Sequence, residues 1–160
     1  MSKKPSLTSS LIVILLALTI ILPAGTTNAA GEKIGLITDE AGIADNGWNY
    51  LAYQGLLQTQ TDLGILGSLY EPADNSDYAT KIQQCITDGN ILCIGTNFLL
   101  GADIEAAAGA NPAVKFAVLD TYFDAPPSNL RGVMFDSKQV GYLAGTLAGK
   151  MSTTGNIGVV

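Results

Sequence analysis

The chain has 160 residues, 48% of them apolar, with eight basic against fourteen acidic side chains and no histidine. Its net charge of −6 at pH 7 and its single arginine argue against nucleic acid and against an anionic membrane surface as partners. The missing imidazole removes the usual general base and the commonest metal ligand, and no phosphate-binding glycine loop suggests a cofactor.

The first elements set the compartment. Lys3 and Lys4 precede an apolar run at residues 11–22, broken by Pro23 and Gly25, and Thr27-Asn28-Ala29 offers small residues at −3 and −1 of a cleavage site. Twelve residues, apolar but for Thr19, make a signal-peptide core, whereas a spanning helix needs about 20. Residues 1–29 are therefore read as an export signal, with an uncleaved anchor as the alternative. The expected destination is the periplasm or cell surface, at the plasma membrane. Removing Lys3 and Lys4 leaves six basic residues against fourteen acids, so the mature chain is still more acidic.

After the leader, apolar runs alternate with helical patterns. Residues 33–38 are short, mostly apolar and bounded by turn residues, as expected of a strand buried on both faces. The polar stretch 39–47 follows, and a helix capped by Asp45 or Asn46 runs over about 47–61, with Trp48 and Asn49 in its first turn. A weaker strand at 67–71 leads to a helix over 77–88 capped by Ser76 and stopped by Gly89. Strands at 91–95, 115–119 and 131–135 alternate with helices at 101–110 and from Asp136 or Ser137 to about Met151. Residues 156–160 open a further strand. Within the last helix, Gly141, Ala144, Gly145 and Ala148 predict a close helix–sheet contact. Cys85 and Cys93, the only thiols, either pair in an oxidising compartment or pack as two small core residues.

Strands alternating with helices predict an α/β fold, a parallel sheet covered by helices on both faces in a flavodoxin-like or Rossmann-like order. The strand-to-helix loops then line one rim, the usual ligand edge of such sheets. Asp39, Asp45, Trp48, Asn49, Asn97, Phe98, Asp120 and Tyr122 gather on those loops. Each also has a plain structural reading. Trp48 and Phe98 serve as packing residues, Asp45 as a cap, and Asp39 and Asp120 as turn openers.

The segment after the first strand, Asp-x-x-Gly-x-x-Asp-x-Gly-Trp-Asn, resembles that of the basic membrane protein family of solute receptors. These are the purine-nucleoside-receptor-like substrate-binding proteins of ABC transporters. IGTNFLLG, NPAVKFAVLD and GVMFDSKQVGYLAGTLAGKMSTTGNIGVV resemble further family segments in the same order, so the likeness covers essentially residues 33–160. The resemblance implies the first lobe of a type I periplasmic binding protein, and a receptor that captures without catalysing. It implies that Trp48, where the family usually has Phe, stacks on a nucleoside base. Asn49 hydrogen-bonds the ligand, and Asp45 binds it or shapes the loop. Asp39 faces the base, and Asp120 takes ribose hydroxyls.

Family members are roughly twice this long and close two lobes around a hinge. The expected division is therefore a lobe at 30–154 and the start of a truncated second lobe at 155–160. The expected function is that of an ABC-importer receptor for a purine nucleoside or a related small solute, delivering to a membrane permease. The alternative is an extracytoplasmic sensor on the same fold. An enzyme has only the loop acids Asp39 and Asp120 to support it.

Overall fold

The structure, a computed structural model, describes residues 31–159, so the leader read at residues 1–29 lies outside the described residues. Five strands, β1 (Lys33–Ile37), β2 (Leu66–Tyr70), β3 (Leu92–Gly95), β4 (Lys115–Leu119) and β5 (Leu130–Val133), alternate with four helices. These are α1 (Trp48–Leu63), α2 (Tyr78–Thr87), α3 (Gly101–Ala110) and α4 (Ser137–Met151). All four strand pairs are parallel, in the order β2-β1-β3-β4-β5. This is the flavodoxin-like order, and it places the topological switch between β1 and β3.

Because side chains alternate along a strand, each apolar run supplies both faces. On one face Ile37, Cys93, Phe116, Val118 and Leu130 are sealed beneath α2 and α3 by Tyr78, Ile82, Cys85, Leu100, Ile104 and Ala108. Cys85 and Cys93 form a disulfide that ties α2 to β3 within this core, so the pairing reading of the two thiols holds. Gly35 makes the layer possible, since a Cβ there would lie 2.3 Å from Cys85 Sγ and 2.8 Å from the Tyr70 ring. On the other face α1 lays Leu56, Ala52 and Tyr53 over Ile34, Leu36, Ile65 and Ile94.

Local capping departs from the sequence reading in two places. The residue before α1 is Gly47, not Asp45 or Asn46, because Asn46 turns left-handed at φ 52° and a short 3-10 turn (Gly42–Asp45) intervenes. Asp45 still satisfies the helix start, but from two residues further out. α2 has no side-chain cap; ahead of it Asp74, not Ser76, caps a 3-10 turn by accepting from the Ser76 amide. The C-terminal stops agree with expectation: Gly64 and Gly89 adopt φ of 68° and 80°, the left-handed region glycine enters without strain.

The last helix is the main correction. Asp136 caps α4 as expected. No residue of α4 is buried, however, and Gly141, Gly145 and Gly149 face open space, so the predicted helix–sheet contact is not made. Residues 156–159 are not a strand either, since no strand edge lies beside them to complete a ladder.

Candidate functional site

The loops leaving β1 and β3 meet at the switch point, and a network of amides and one carboxylate joins them. Asp39, the second residue past β1, accepts from the Ala41 amide at 2.9 Å and from Asn49 Nδ2 at 2.7 Å on one oxygen. Its other oxygen accepts from Asn97 Nδ2, on the loop after β3. A carboxylate offers about four acceptor positions, and three are filled here. Asn97 in turn caps the short 3-10 turn Phe98–Leu100 by accepting from the Leu99 amide at 2.9 Å.

Asn49, only 1% exposed, lies between the two loops rather than at the surface. Its Oδ1 accepts from Thr96 Oγ1 at 2.6 Å while its Nδ2 donates to Asp39. Thr38, fully buried at the end of β1, has no hydrogen-bond partner for its Oγ1 among the described residues. Trp48, by contrast, is 42% exposed, and its Nε1–H donates to the Thr96 carbonyl. The edge of Phe135 meets the same indole, with ring centroids 5.2 Å apart and planes at 78°. Hydrogen bond and edge contact together fix the ring, and part of its surface stays open to solvent.

The 39–47 loop is held from below as well. The Gly47 amide at 2.9 Å, then those of Asn49 and Tyr50 at 2.8 and 3.1 Å, donate to the Asp45 carboxylate and hold its pKa below the usual aspartate range. Glu71 accepts from the Ile43 amide at 3.0 Å. Tyr78 donates its hydroxyl to Glu40, which lowers the pKa of Glu40, while burial and then Glu40 itself raise that of Tyr78. The loop is thus preorganised by groups on α1, α2 and β2.

Five of the eight rim residues named from the sequence therefore come together: Asp39, Asp45, Trp48, Asn49 and Asn97. Phe98, 63% exposed, and Asp120 stand on neighbouring loops without a hydrogen bond to this network among the described residues. Asp120 has φ of 53°, a left-handed conformation uncommon outside glycine, at the turn after β4. Two contributors were not named from the sequence: Thr96 and Phe135 carried no signal, because their roles depend on Trp48 lying across them.

Comparison with known proteins gives the family. Residues 32–160 match the family described as ABC transporter substrate-binding protein PnrA-like. The chain is 28% identical over 132 residues to the ABC transporter nucleoside-binding protein BmpA of Lactococcus lactis subsp. cremoris, covering 80% of this chain and 37% of that protein. It is 31% identical to basic membrane protein D of Borreliella burgdorferi, covering 81% of this chain and 38% of the relative. Among solved structures, an ABC transporter solute-binding protein of Aeropyrum pernix superposes with a TM-score of 0.71 at 19% identity, over 77% of this chain and 34% of that one, a likeness of fold. The chain spans about two fifths of the length of the curated relatives it matches. With a five-stranded parallel sheet of flavodoxin-like order and a match over residues 32–160, the chain belongs to the PnrA-like family of ABC transporter substrate-binding proteins.

Proposed function

We propose that this chain is the first ligand-binding lobe of an extracytoplasmic receptor that hands a purine nucleoside, or a solute of the same ring-and-diol chemistry, to an ABC permease. In this reading residues 155–160 lead into a second lobe that closes over the other side of the ligand. The observation that carries it is the half-open, fixed ring of Trp48 at the switch point where open α/β sheets bind small molecules. A flat heteroaromatic ligand gains stacking on the indole, on the order of 1–3 kcal/mol by analogy with bases on aromatic platforms. Asp39 then takes an N–H from the edge of the ring, and Asp120 takes a pair of hydroxyls. Phe98 shields the mouth. Asn49 acts through Asp39, which it orients, and Asp45 by fixing the loop. The nucleoside-binding name of the L. lactis relative supports the ligand class.

Trp48 is the only tryptophan, so its fluorescence reads the proposed contact directly. Adenosine, guanosine and inosine should quench it saturably, weakly for this lobe alone and tightly once a second lobe is joined to it, because a bound small molecule normally has about 70–90% of its surface covered. Free ribose and amino acids should leave it unchanged. In the two-lobed form Trp48→Ala should raise the dissociation constant about tenfold or more, about 1.4 kcal/mol, by isothermal titration. Nucleoside affinity equal to wild type in a folded Trp48→Ala protein would remove the stacking role. No saturable response to any nucleoside would remove the ligand class.

A further inference from the structure

The Cys85–Cys93 bridge stands where the elements that carry the rim site converge. Cys93 lies beside Gly35 in the β1–β3 register, and a Cβ at Gly35 would lie 2.3 Å from Cys85 Sγ. The bridge therefore rests on β1 just before that strand runs out to Asp39. From Cys85, α2 leads back two turns to Tyr78, on the same helix face at i−7, and the Tyr78 hydroxyl donates to Glu40 in the 39–47 loop. From Cys93, β3 leads forward to Thr96 and Asn97. The Thr96 carbonyl takes the Trp48 Nε1–H, the Thr96 hydroxyl donates to Asn49 Oδ1 at 2.6 Å, and Asn97 Nδ2 donates to Asp39. One covalent bond thus sets the spacing between two elements that hold the site loop from different sides.

We propose that this bridge is an oxidation-dependent clamp on the rim: in an oxidising compartment it locks the 39–49 loop and the Trp48 ring, and the dithiol chain folds with both loose. On oxidation the two thiols give up two protons and two electrons to a disulfide oxidant of that compartment. The oxidant is reduced to two thiols as the Cys85–Cys93 bond forms. Tyr78 and Ile82 belong to the core independently of the bond, so the dithiol form keeps α2 on the sheet. What it loses is the fixed distance from α2 to β3, and with it the simultaneous hold of Tyr78 on Glu40 and of Thr96 on Trp48. Both cysteines are fully buried, so a bridge once formed is shielded from reductant and the clamp sets once. The clamp rests on these contacts; its consequence, weaker nucleoside binding by the dithiol form, rests on the function proposed above.

Trp48 is the only tryptophan of the sequence, so a single indole Nε1–H resonance reports the clamp without any ligand. The purified chain is refolded from denaturant with oxidant or with reductant, its free thiols are counted, and the two forms are compared by NMR. The bridged form should show a slowly exchanging indole proton. In the dithiol form, and in Cys85→Ala with Cys93→Ala, that proton should shift toward the free-indole position and exchange faster. Val118→Ala, a cavity elsewhere in the same sealed core, should lower stability and leave the resonance in place. Tyr78→Phe removes only the hold of α2 on the loop, and should speed exchange of the Gly42 and Ile43 amides with the bridge intact. An indole signal identical in bridged and dithiol forms would overturn the clamp. So would an equal shift in Val118→Ala, loop amides unmoved by Tyr78→Phe, or a dithiol chain that does not fold, since the bridge would then serve the fold as a whole. An indole shift on reduction in a chain whose fluorescence no nucleoside quenches would uphold the clamp and remove only the ligand class.

Discussion

On the α2–α3 side of the sheet Cys93, Phe116, Val118 and Leu130 have essentially no contact with solvent. One residue further along, on the α1 side, Ile94, Ala117 and Leu119 are only half-buried, and Val133, three residues past Leu130, is 40% exposed. The backbone and the β-propensity are shared, so the contrast comes from what lies above each face. Two helices and a disulfide close one side; a single helix covers part of the other. Residue alternation along these strands is written for burial on both faces, and among the described residues only one face receives it in full. Stability should accordingly be concentrated on the sealed side.

The largest expected effect sharpens that contrast directly. Phe116→Ala empties the sealed core and should cost about 3–5 kcal/mol, the range for removing a large buried side chain. Leu119→Ala, at the end of the same strand and facing the open groove on the α1 side, should cost less than half as much. Urea unfolding compares the two. Equal losses would mean that the α1 face is as tightly closed in solution as its opposite.

The disulfide comes next. Cys85 and Cys93 close a loop with a sequence separation of 8, and both are fully buried. By the loop-entropy relation, replacing both with Ala should lower stability by about 2–3 kcal/mol. Amide exchange should accelerate in α2 and β3 well before it does in α1, since the bridge ties only the sealed side. Uniform acceleration across α1 and α2 would show that the two faces open as one unit and would break the comparison.

Sequence alone showed the strand–helix alternation and the family likeness, and the order of elements agrees up to the last helix. Local signals sufficed there, because most of the strands are short apolar runs next to turn-forming residues. The flavodoxin-like order, as against the Rossmann-like one, was not legible, since strand neighbours are set by packing between distant segments. Nor was the fate of α4. Its small residues resembled a helix–sheet seam, but the seam also needs a free sheet face within reach, which depends on the anchoring of Phe135 on Trp48. At the rim, Asp39 and Trp48 were visible as polar and aromatic residues just past a strand. Asn49 was equally visible, but its burial between Asp39 and Thr96 was not, because Thr96 lies 47 residues away in sequence.

The smallest expected effect tests how α1, the lone cover of the open face, is anchored. Asp45 accepts the amides of Gly47, Asn49 and Tyr50, and its pKa is lowered in the folded chain. A carboxyl whose folded pKa lies below its unfolded value stabilises the fold above the unfolded pKa, about 3.9 for aspartate, and loses that contribution as pH falls through the folded one. The amide resonances of Gly47, Asn49 and Tyr50 should therefore titrate together, with a midpoint below the ordinary aspartate value, and the shared midpoint should vanish in Asp45→Asn. Exchange protection in the first turn of α1 should fall over the same acid range. The sealed face should stay unchanged until lower pH, because α2 and α3 are tied into the core by buried side chains and a covalent bridge rather than by one solvent-facing carboxylate. A midpoint at or above the ordinary value would mean that Asp45 does not hold the helix start, and that packing of Leu56 and its neighbours alone keeps α1 on the sheet.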